Sequence, residues 1–147
     1  MKDTLQVGDC ATLEYVVPEN KTVPHLYPEA DAFQTMPKVF ATGFMVGLLE
    51  WCCITALTPH LEKGESSLGT FIKTTHCAPT PPGMTVTVVA VCRQIRSTNN
   101  VFWDVTAHDD VELIAQAHHG RHIIDTQRFL RRVEKKTQHL SSMSPPL

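Results

Sequence analysis

The longest apolar stretch of the chain is VFATGFMVGLLEWCCITAL, residues 39 to 57, in which Glu50 is the single formal charge. Prolines flank it at Pro37 and Pro59. Because proline suits a first helical turn and blocks continuation, the pattern predicts a helix from about residue 38 to Thr58. The helix is apolar on nearly all sides, so we expect it to be buried nearly all round, with a sheet wrapped around it.

Apolar residues elsewhere in the chain follow the patterns of β-strands. One strand is predicted at residues 5 to 17, and four more follow the long helix, separated by Pro, Gly, Ser, Asn and Asp. The four are GTFIKTTHCA (69–78), MTVTVVAVCRQI (84–95), VFWDVTAHD (101–109) and ELIAQAHHGRHII (112–124). Short links imply antiparallel neighbours. The order of elements predicts an α+β domain in which a curved antiparallel sheet wraps around one long central helix.

Two further segments complete the domain. Residues 18 to 37 contain four prolines and form a long irregular segment, which is typical of a lid or a binding loop. Residues 125 to 136 have the pattern of an amphipathic helix, with Phe129, Leu130 and Val133 facing inward. The predicted domain therefore spans residues 1–137, and the Ser- and Pro-rich residues 138–147 form a predicted disordered tail.

The composition is that of a globular chain of one-domain size, with 147 residues, 42% hydrophobic and 19% charged. The chain has 13 basic and 15 acidic residues, and its one basic cluster, RFLRRVEKK, is interrupted by Glu134. Binding to phosphates needs clustered Lys and Arg, so we expect no nucleic-acid partner.

The cysteines and the N-terminus bear on the compartment. Five cysteines without a CxxC pair favour a reducing environment over a disulfide framework. The N-terminal MKDTLQVGDC has no basic region followed by an apolar block, so no signal peptide is predicted. We expect a cytoplasmic protein.

The long apolar run also has the length of a transmembrane helix. Three features argue against that interpretation: Glu50 lies well inside the run, Lys38 is the only basic flank, and the chain has no second apolar run. The small-residue pair Gly43 and Gly47 serves any close helix contact as well as a membrane one. We therefore expect no membrane span.

Glu50 is the first candidate for chemistry. Its neighbours in sequence are Leu48, Leu49, Trp51 and Cys52. A carboxylate among such residues is expected to be desolvated, which makes it a candidate base or nucleophile. The alternative is a structural carboxylate that pairs with a buried base. The sequence pattern alone leaves both interpretations open.

Thr42, Gly43 and His76 are the next candidates. Thr42 and Gly43 lie in the predicted first helical turn, where unpaired backbone N–H groups can polarise a carbonyl oxygen. Thr42 lies eight residues before Glu50, about 12 Å away along the helix axis. His76, at a predicted strand end, suits general acid/base work at neutral pH. A hydroxyl bonded to a nearby carbonyl and an exposed histidine are the structural alternatives.

The HHGRH group invites a metal interpretation. His118 and His122 share one face of the predicted strand, whereas His119 points to the other. No Cys or carboxylate lies at a recognised ligand spacing, so we expect no metal site. Phosphate-binding, dinucleotide-binding and serine-hydrolase motifs are also absent from the sequence.

Five stretches carry a resemblance: KTVPHLYPEA, VFATGFMVGLLEW, GESSLGT, TTHCAPTPPGMTVTV and VTAHDDV, in this order. Through them the chain, up to about Thr137, resembles the fluoroacetyl-CoA thioesterase family, a branch of the hot-dog-fold thioesterases. The resemblance implies a hot-dog fold and a homodimer with active sites at the subunit interface. It also implies hydrolysis of short acyl-CoA thioesters without a metal or other cofactor.

The resemblance implies catalytic roles for three residues. The family's threonine, carboxylate and histidine correspond to Thr42, Glu50 and His76. In the implied mechanism, backbone amides near Thr42 and Gly43 polarise the thioester carbonyl. Glu50 attacks that carbonyl or activates water, and His76 transfers protons.

The resemblance also implies contacts to the acyl group. A glycine and an arginine of the family correspond to Gly69 and Arg121, the latter with one extra residue near Asn99. Of two lid aromatics, Phe33 is present and the second position is Met36. Methionine is flexible, so fluoroacetyl-CoA and a broader range of short acyl groups are both compatible with the sequence.

Two other functions fit the same fold: a non-catalytic acyl-CoA-binding protein and an enoyl-thioester hydratase. A binder would hold the ligand without releasing CoA, and a hydratase would form a hydroxyacyl product without releasing the thiol. The sequence contexts of Thr42, Glu50 and His76 fit hydrolysis better than hydration.

Overall fold

A computed structural model describes residues 1–143 of the chain. The helices are α1 (Asp31–Gln34), α2 (Thr42–Leu57) and α3 (Thr126–Met143), and the strands are β1 (Cys10–Val16), β2 (Glu65–Thr74), β3 (Thr85–Arg96), β4 (Asn100–His108) and β5 (Leu113–Asp125). The strands form one antiparallel sheet in the order β1-β3-β4-β5-β2, so β1 and β2 are its edges. The predicted α+β architecture, a sheet packed on one central helix, is confirmed.

The core lies between α2 and one face of the sheet. α2 contacts β1, β2, β3 and β4. From the helix, Met45, Leu49, Cys52, Cys53 and Leu57 are fully buried. The strands contribute alternate residues, such as Val86, Val88 and Ala90 of β3 and Val101, Trp103 and Val105 of β4. This period of two places every second side chain of each strand against the helix.

The prediction that α2 is buried nearly all round is wrong for the single chain. Trp51 and Ile54, on the side away from the sheet, are 49% and 41% exposed. One sheet covers one side of a helix, so the second apolar side stays open. Thr42–His60 has the length and composition of a membrane span, a test that the core helix of a soluble protein also passes.

The start of α2 differs from its prediction. The helix begins at Thr42, because the residues before it are held extended by long-range contacts. Phe40 forms a β-bridge with Thr22, and its N–H donates to the carbonyl of Thr80 at 2.8 Å. The Ala41 N–H donates to the carbonyl of Lys21 at 3.0 Å. Tertiary contacts here override the local signal of Pro37.

The strand boundaries differ most at β1 and β2. β1 starts at Cys10 because residues 6–9 form a turn, in which the Gln6 N–H donates to the Asp9 carboxylate and Gly8 has a φ of +98°. β2 starts at Glu65 and ends at Thr74, with a register shift between Gly69 and Phe71. The other strands lie close to their predicted positions.

The segment from 18 to 37 is less irregular than predicted. It contains 3₁₀ turns at Glu19–Lys21 and Val23–His25, followed by α1. Between the two turns, Thr22 is fully buried, and its hydroxyl lies within hydrogen-bond distance of the Glu19 carbonyl and the His25 ring. The segment is therefore anchored to the body of the domain.

The C-terminal helix corrects two predictions. α3 continues to Met143, so residues 138–143 of the predicted disordered tail are helical, and residues 144–147 lie outside the described residues. No proline interrupts this helix before Pro145. Leu130 and Val133, predicted to face inward, are 52% and 45% exposed, because the main contacts of α3 are with β5 alone.

Candidate functional site

Thr42 and His76 form the first of two polar clusters beside α2. Thr42 is the first residue of the helix, and His76 follows the end of β2. The Thr42 Oγ1 lies 2.8 Å from Nδ1 of His76, within hydrogen-bond distance. Both residues line a cleft of about 270 Å³ with Val23, Phe40, Ala78 and Pro79. The structure thus brings together two of the three predicted catalytic residues.

The backbone on both sides of His76 is held by β5 and by the loop that follows. The N–H groups of Thr75 and Cys77 donate to carbonyls of β5, at Gln116 and Ile114. These two bonds fix the position from which the His76 ring projects, so the ring is held beside the start of α2.

Thr80 and Asp109 brace the same loop, and sequence reasoning missed both. Thr80 is fully buried, and its hydroxyl donates to Asp109 Oδ2 at 3.0 Å. The Thr80 carbonyl accepts the N–H of Phe40, two residues before Thr42. The loop after His76 and the start of α2 are therefore connected through one buried threonine.

Partial burial of the His76 ring changes its pKa. Burial lowers the pKa of His76, and a hydrogen bond with the backbone of Ala78 opposes this effect in part. Burial disfavours the charged form of a histidine. The ring is therefore neutral at pH 7, as a group that accepts a proton must be.

Glu50 belongs to a second cluster, two turns further along α2. Its Oε1 lies 3.6 Å from Nη1 of Arg121 and 3.5 Å from Nε2 of His119, both on β5. The Glu50 side chain is 38% exposed, so the expected desolvation is partial in the single chain. The predicted alternative, a carboxylate paired with a buried base, describes its surroundings.

Arg121 is the buried base of this cluster. It is 3% exposed, and its Nε and Nη2 donate to the hydroxyl and the carbonyl of Ser67 at 2.9 and 2.8 Å. Burial lowers the pKa of Arg121, whereas the charges of Glu50 and Cys53 raise it. An arginine stays charged through such shifts. Ser67, which holds two of its nitrogens, was missed by sequence reasoning.

Gly69 lies where β2 passes closest to Glu50. A Cβ placed on Gly69 would overlap Oε1 of Glu50 and lie 3.2 Å from Cε1 of His119. Glycine is therefore required for the carboxylate to occupy this position. The predicted substrate-binding residues Gly69 and Arg121 pair directly across β2 and β5 and both border Glu50.

The three histidines of HHGRH divide between the two faces of the sheet, as predicted. His118 and His122 are on the outer face, where their Nδ1 atoms contact Asp104 at 2.6 Å and Asn100 at 2.9 Å. His119 is 1% exposed on the inner face. Within residues 1–143, no group of three or more His, Cys, Asp and Glu side chains is arranged to hold a metal ion.

The two clusters are separate within one chain. In the described part of the molecule, no hydrogen bond or ion pair joins Thr42 or His76 to Glu50 or Arg121. The exposed side of α2 lines an apolar cleft of about 260 Å³, which also includes Tyr15 of β1. Its lining residues include Gly43, Phe44, Gly47 and Trp51. Each chain therefore presents two partial sites along one open helix face.

The two predicted lid residues lie in α1 and just after it. Phe33 is half-buried against the ring of Tyr27, with the ring centroids 5.8 Å apart, and Met36 is 50% exposed. Among the described residues, no hydrogen bond, ion pair or ring contact joins either side chain to Thr42 or Glu50. Instead, Leu26 approaches the start of α2, where a Cβ on Gly43 would lie 2.9 Å from Leu26 Cδ1. Sequence reasoning had not singled out Leu26.

Comparison with known proteins connects this arrangement to a family. Residues 17–127 match the model of the fluoroacetyl-CoA-specific thioesterase family. The fluoroacetyl-CoA thioesterase of Streptantibioticus cattleyicolor is 51% identical over 137 residues, which are 93% of this chain and 98% of that protein.

Solved structures agree with this match. A variant of a fluoroacetyl-CoA-specific thioesterase in complex with fluoroacetate and CoA is 51% identical, with a TM-score of 0.83 over 85% of this chain and 99% of that one. A hot-dog-like protein from Thermanaerovibrio acidaminovorans, 20% identical, has a TM-score of 0.77 over 90% of this chain and 93% of that one. The fold is therefore the hot-dog fold.

The burial of His76 leads to a testable prediction. We expect its ring to titrate at a pH below the usual histidine value of about 6.5, because burial lowers its pKa. Since the unfolded chain binds that proton more readily, the stability contributed by neutral His76 is present above the unfolded value and lost as the pH falls through the folded one. NMR titration of the ring signals, assigned with a His76→Gln variant, measures the midpoint. A midpoint at or above about 6.5, the usual histidine value, would contradict the prediction.

Proposed function

This chain belongs to the fluoroacetyl-CoA-specific thioesterase family, and from that premise we propose that it hydrolyses a short-chain acyl-CoA to the free acid and CoA. The observation that carries the proposal is the contact between Thr42 and His76 at the start of an apolar helix, with Glu50 further along the same helix. An imidazole can act as general acid/base in thioester hydrolysis, a carboxylate as nucleophile or base, and a hydroxyl as hydrogen-bond donor.

The start of α2 supports polarisation of the thioester carbonyl. The first N–H groups of a helix have no hydrogen-bond acceptor within the helix. Ala41, the residue before α2, provides no side-chain acceptor for them either. Thr42 and Gly43 therefore present donors to an oxygen that gains negative charge. The Thr42 hydroxyl, which contacts His76, adds a further polar group at this point.

Glu50 supplies the attack in the proposed reaction. Its carboxylate either adds to the thioester carbon, to give an anhydride that water then hydrolyses, or removes a proton from water as water adds. In both routes the bond between carbon and sulfur breaks, and CoA leaves as the thiol. Neutral His76 accepts and returns protons during these steps.

The separation of the two clusters supports a homodimer in which each complete site combines residues of two chains. The helix face between the clusters exposes Trp51 and Ile54, and burial of a side chain of this size contributes roughly 1.5–3 kcal/mol. β2 is an edge strand next to Glu50 and offers unpaired backbone groups for pairing with a second copy. In this arrangement Thr42 and His76 of one chain face Glu50 of its partner.

The acyl group is proposed to be small. Gly69 and Arg121 border the Glu50 carboxylate closely, so little space remains there for a long chain. Met36, in place of a rigid aromatic residue, is half-exposed and flexible. The proposed range therefore includes fluoroacetyl-CoA and other short acyl-CoAs, with selectivity set by the lid.

The cysteines support a cytoplasmic location. All five are unpaired thiols, with Cys52, Cys53 and Cys92 buried and Cys10 and Cys77 exposed. Free exposed thiols persist best in a reducing compartment. The proposed substrates are therefore the short acyl-CoA thioesters of the cytoplasm.

The first prediction for activity concerns class and substrate. We expect release of free CoA from short acyl-CoAs, measured with a thiol reagent on a panel that includes fluoroacetyl-, acetyl-, propionyl- and butyryl-CoA. Glu50→Gln keeps the shape of the side chain and removes its charge, so it should lower kcat by about 10³-fold or more. A folded dimer that turns over none of these thioesters would refute the proposal, and full activity of Glu50→Gln would refute the role of Glu50.

The second prediction concerns Gly69. The methyl group of Gly69→Ala must displace the Glu50 carboxylate, and a misplacement of about 1 Å can slow a reaction by about 100-fold. We expect kcat to fall by that order while the fold, followed by circular dichroism, is retained. Lys73→Ala, exposed on the outer face of the same strand, is the matched control. A Gly69→Ala enzyme with the rate of the wild type would show that Glu50 has no fixed position.

The third prediction concerns the shared site. His76→Ala and Glu50→Gln homodimers should each be inactive, but random mixing of the two chains should recover activity. About half of the mixed population is heterodimer with one intact site in two, so about one quarter of wild-type activity is expected. If each site were built within one chain, every site would carry a defect, and mixing would recover nothing.

A further inference from the structure

His119 is a buried titratable group that the mechanism above does not use. It is 1% exposed, lies on the inner face of β5 and pairs across the sheet with Trp103 of β4. Both ring nitrogens have polar neighbours. Nδ1 lies 2.8 Å from the carbonyl oxygen of Phe71, and Nε2 lies 3.2 Å from Nη1 of Arg121.

These two contacts determine where the ring proton is. A carbonyl oxygen only accepts hydrogen bonds, so Nδ1 carries the proton that it donates to Phe71. A guanidinium only donates, so Nε2 must keep its lone pair to accept from Arg121. Both requirements are met by one state, the neutral ring protonated at Nδ1. Burial, and next the charge of Arg121, lower the pKa of His119, whereas Glu50 and the Phe71 carbonyl oppose them.

All three nitrogens of the Arg121 guanidinium therefore have a hydrogen-bond partner. Ser67 accepts from Nε and Nη2, and His119 accepts from Nη1, which is also the nitrogen nearest to Glu50 at 3.6 Å. Ser67 alone would leave the Nη1 end of the guanidinium with Glu50 as its single neighbouring acceptor. The histidine therefore determines the position of the charge that faces the carboxylate.

We propose that His119 is a positioning residue, which as a neutral acceptor fixes Nη1 of Arg121 and through it the orientation of the Glu50 carboxylate. Its donor bond to Phe71 serves the same purpose. Phe71 follows the register shift of β2 that starts at Gly69, so His119 links the strand beside Glu50 to the arginine opposite it. A protonated ring would lose the Arg121 bond and place a second cation against the guanidinium.

Kinetics test this inference, which rests on the proposed thioesterase activity. His119→Leu removes the acceptor and should lower kcat by about 10- to 100-fold, the range expected for loss of a buried hydrogen bond to a charged group. KM should change by less than about threefold, because CoA itself does not contact His119 in the proposal. His119→Gln retains an amide oxygen as acceptor and should recover most of the lost rate.

The matched control is His118→Gln, the adjacent residue on the outer face of β5, which should retain wild-type kcat. Rates are expressed per folded dimer, so a loss of folded protein is not counted as a loss of catalysis. Unchanged kcat in His119→Leu would overturn the inference. Equal losses in His119→Leu and His119→Gln would also overturn it, because the hydrogen-bond acceptor would then be irrelevant.

Nitrogen-15 NMR of the histidine ring gives a readout that does not depend on turnover. We expect the His119 signals of the neutral form protonated at Nδ1, unchanged as the pH passes through the usual histidine value of about 6.5. The groups that face the ring are Glu50 of α2, Arg121 of β5 and the Phe71 carbonyl of β2. A ring protonated at Nε2 or on both nitrogens at neutral pH would refute the inference. If the wild type hydrolyses no acyl-CoA, the thioesterase proposal fails, and this measurement alone decides the role of His119.

Discussion

A helix that is apolar on every side, packed against a sheet that covers only one of them, is the constraint on which the rest of this structure depends. α2 fills the core with Met45, Leu49, Cys52 and Cys53, and leaves Trp51 and Ile54 open on the other side. The polar residues of interest lie at the ends of this open side, where other polar groups are within reach. Thr42 is placed at the end of the helix, where backbone donors are unpaired, and Glu50 at the point where β2 and β5 present a buried cation. The exposed apolar side of α2 and the separation of the two polar clusters thus have the same cause.

The buried charge of Arg121 imposes the second constraint. Burial of an unpaired cation costs several kcal/mol, so its surroundings must supply acceptors. Ser67 of β2, His119 of β5 and Glu50 of α2 do so, and Gly69 leaves room for the carboxylate to approach. Loss of any one acceptor leaves the others in place but frees part of the guanidinium. The same acceptors therefore compensate the buried charge and fix the guanidinium next to Glu50.

The sequence predicts the architecture well where the pattern is strong and local. The apolar run, the period-two strands and their short turns led to the helix and sheet that the structure contains. The start of α2 at Thr42 was missed because bridges from Thr22 and Thr80 hold Phe40 extended, and contacts between distant segments leave no local signal. The pattern of α3 indicated one apolar side, but it could not indicate that the described residues leave Leu130 and Val133 about half exposed.

The residues of the site also divide into those that the sequence indicated and those that depend on contacts between distant segments. Thr42, Glu50 and His76 stood out because their residue types conflict with their surroundings or carry known chemistry, and the resemblance connected them. Ser67, Thr80 and Asp109 act through hydrogen bonds across the fold and have no such signature. His119 was noticed only as one of three histidines, although its spacing of two from Arg121 already placed both on one face of a strand. That spacing, taken together with a carboxylate in an apolar run, was the available sign that the histidine belongs with the arginine. Residues that orient a reacting group are found through its neighbours in space, so they become recognisable only after the fold has brought those neighbours together.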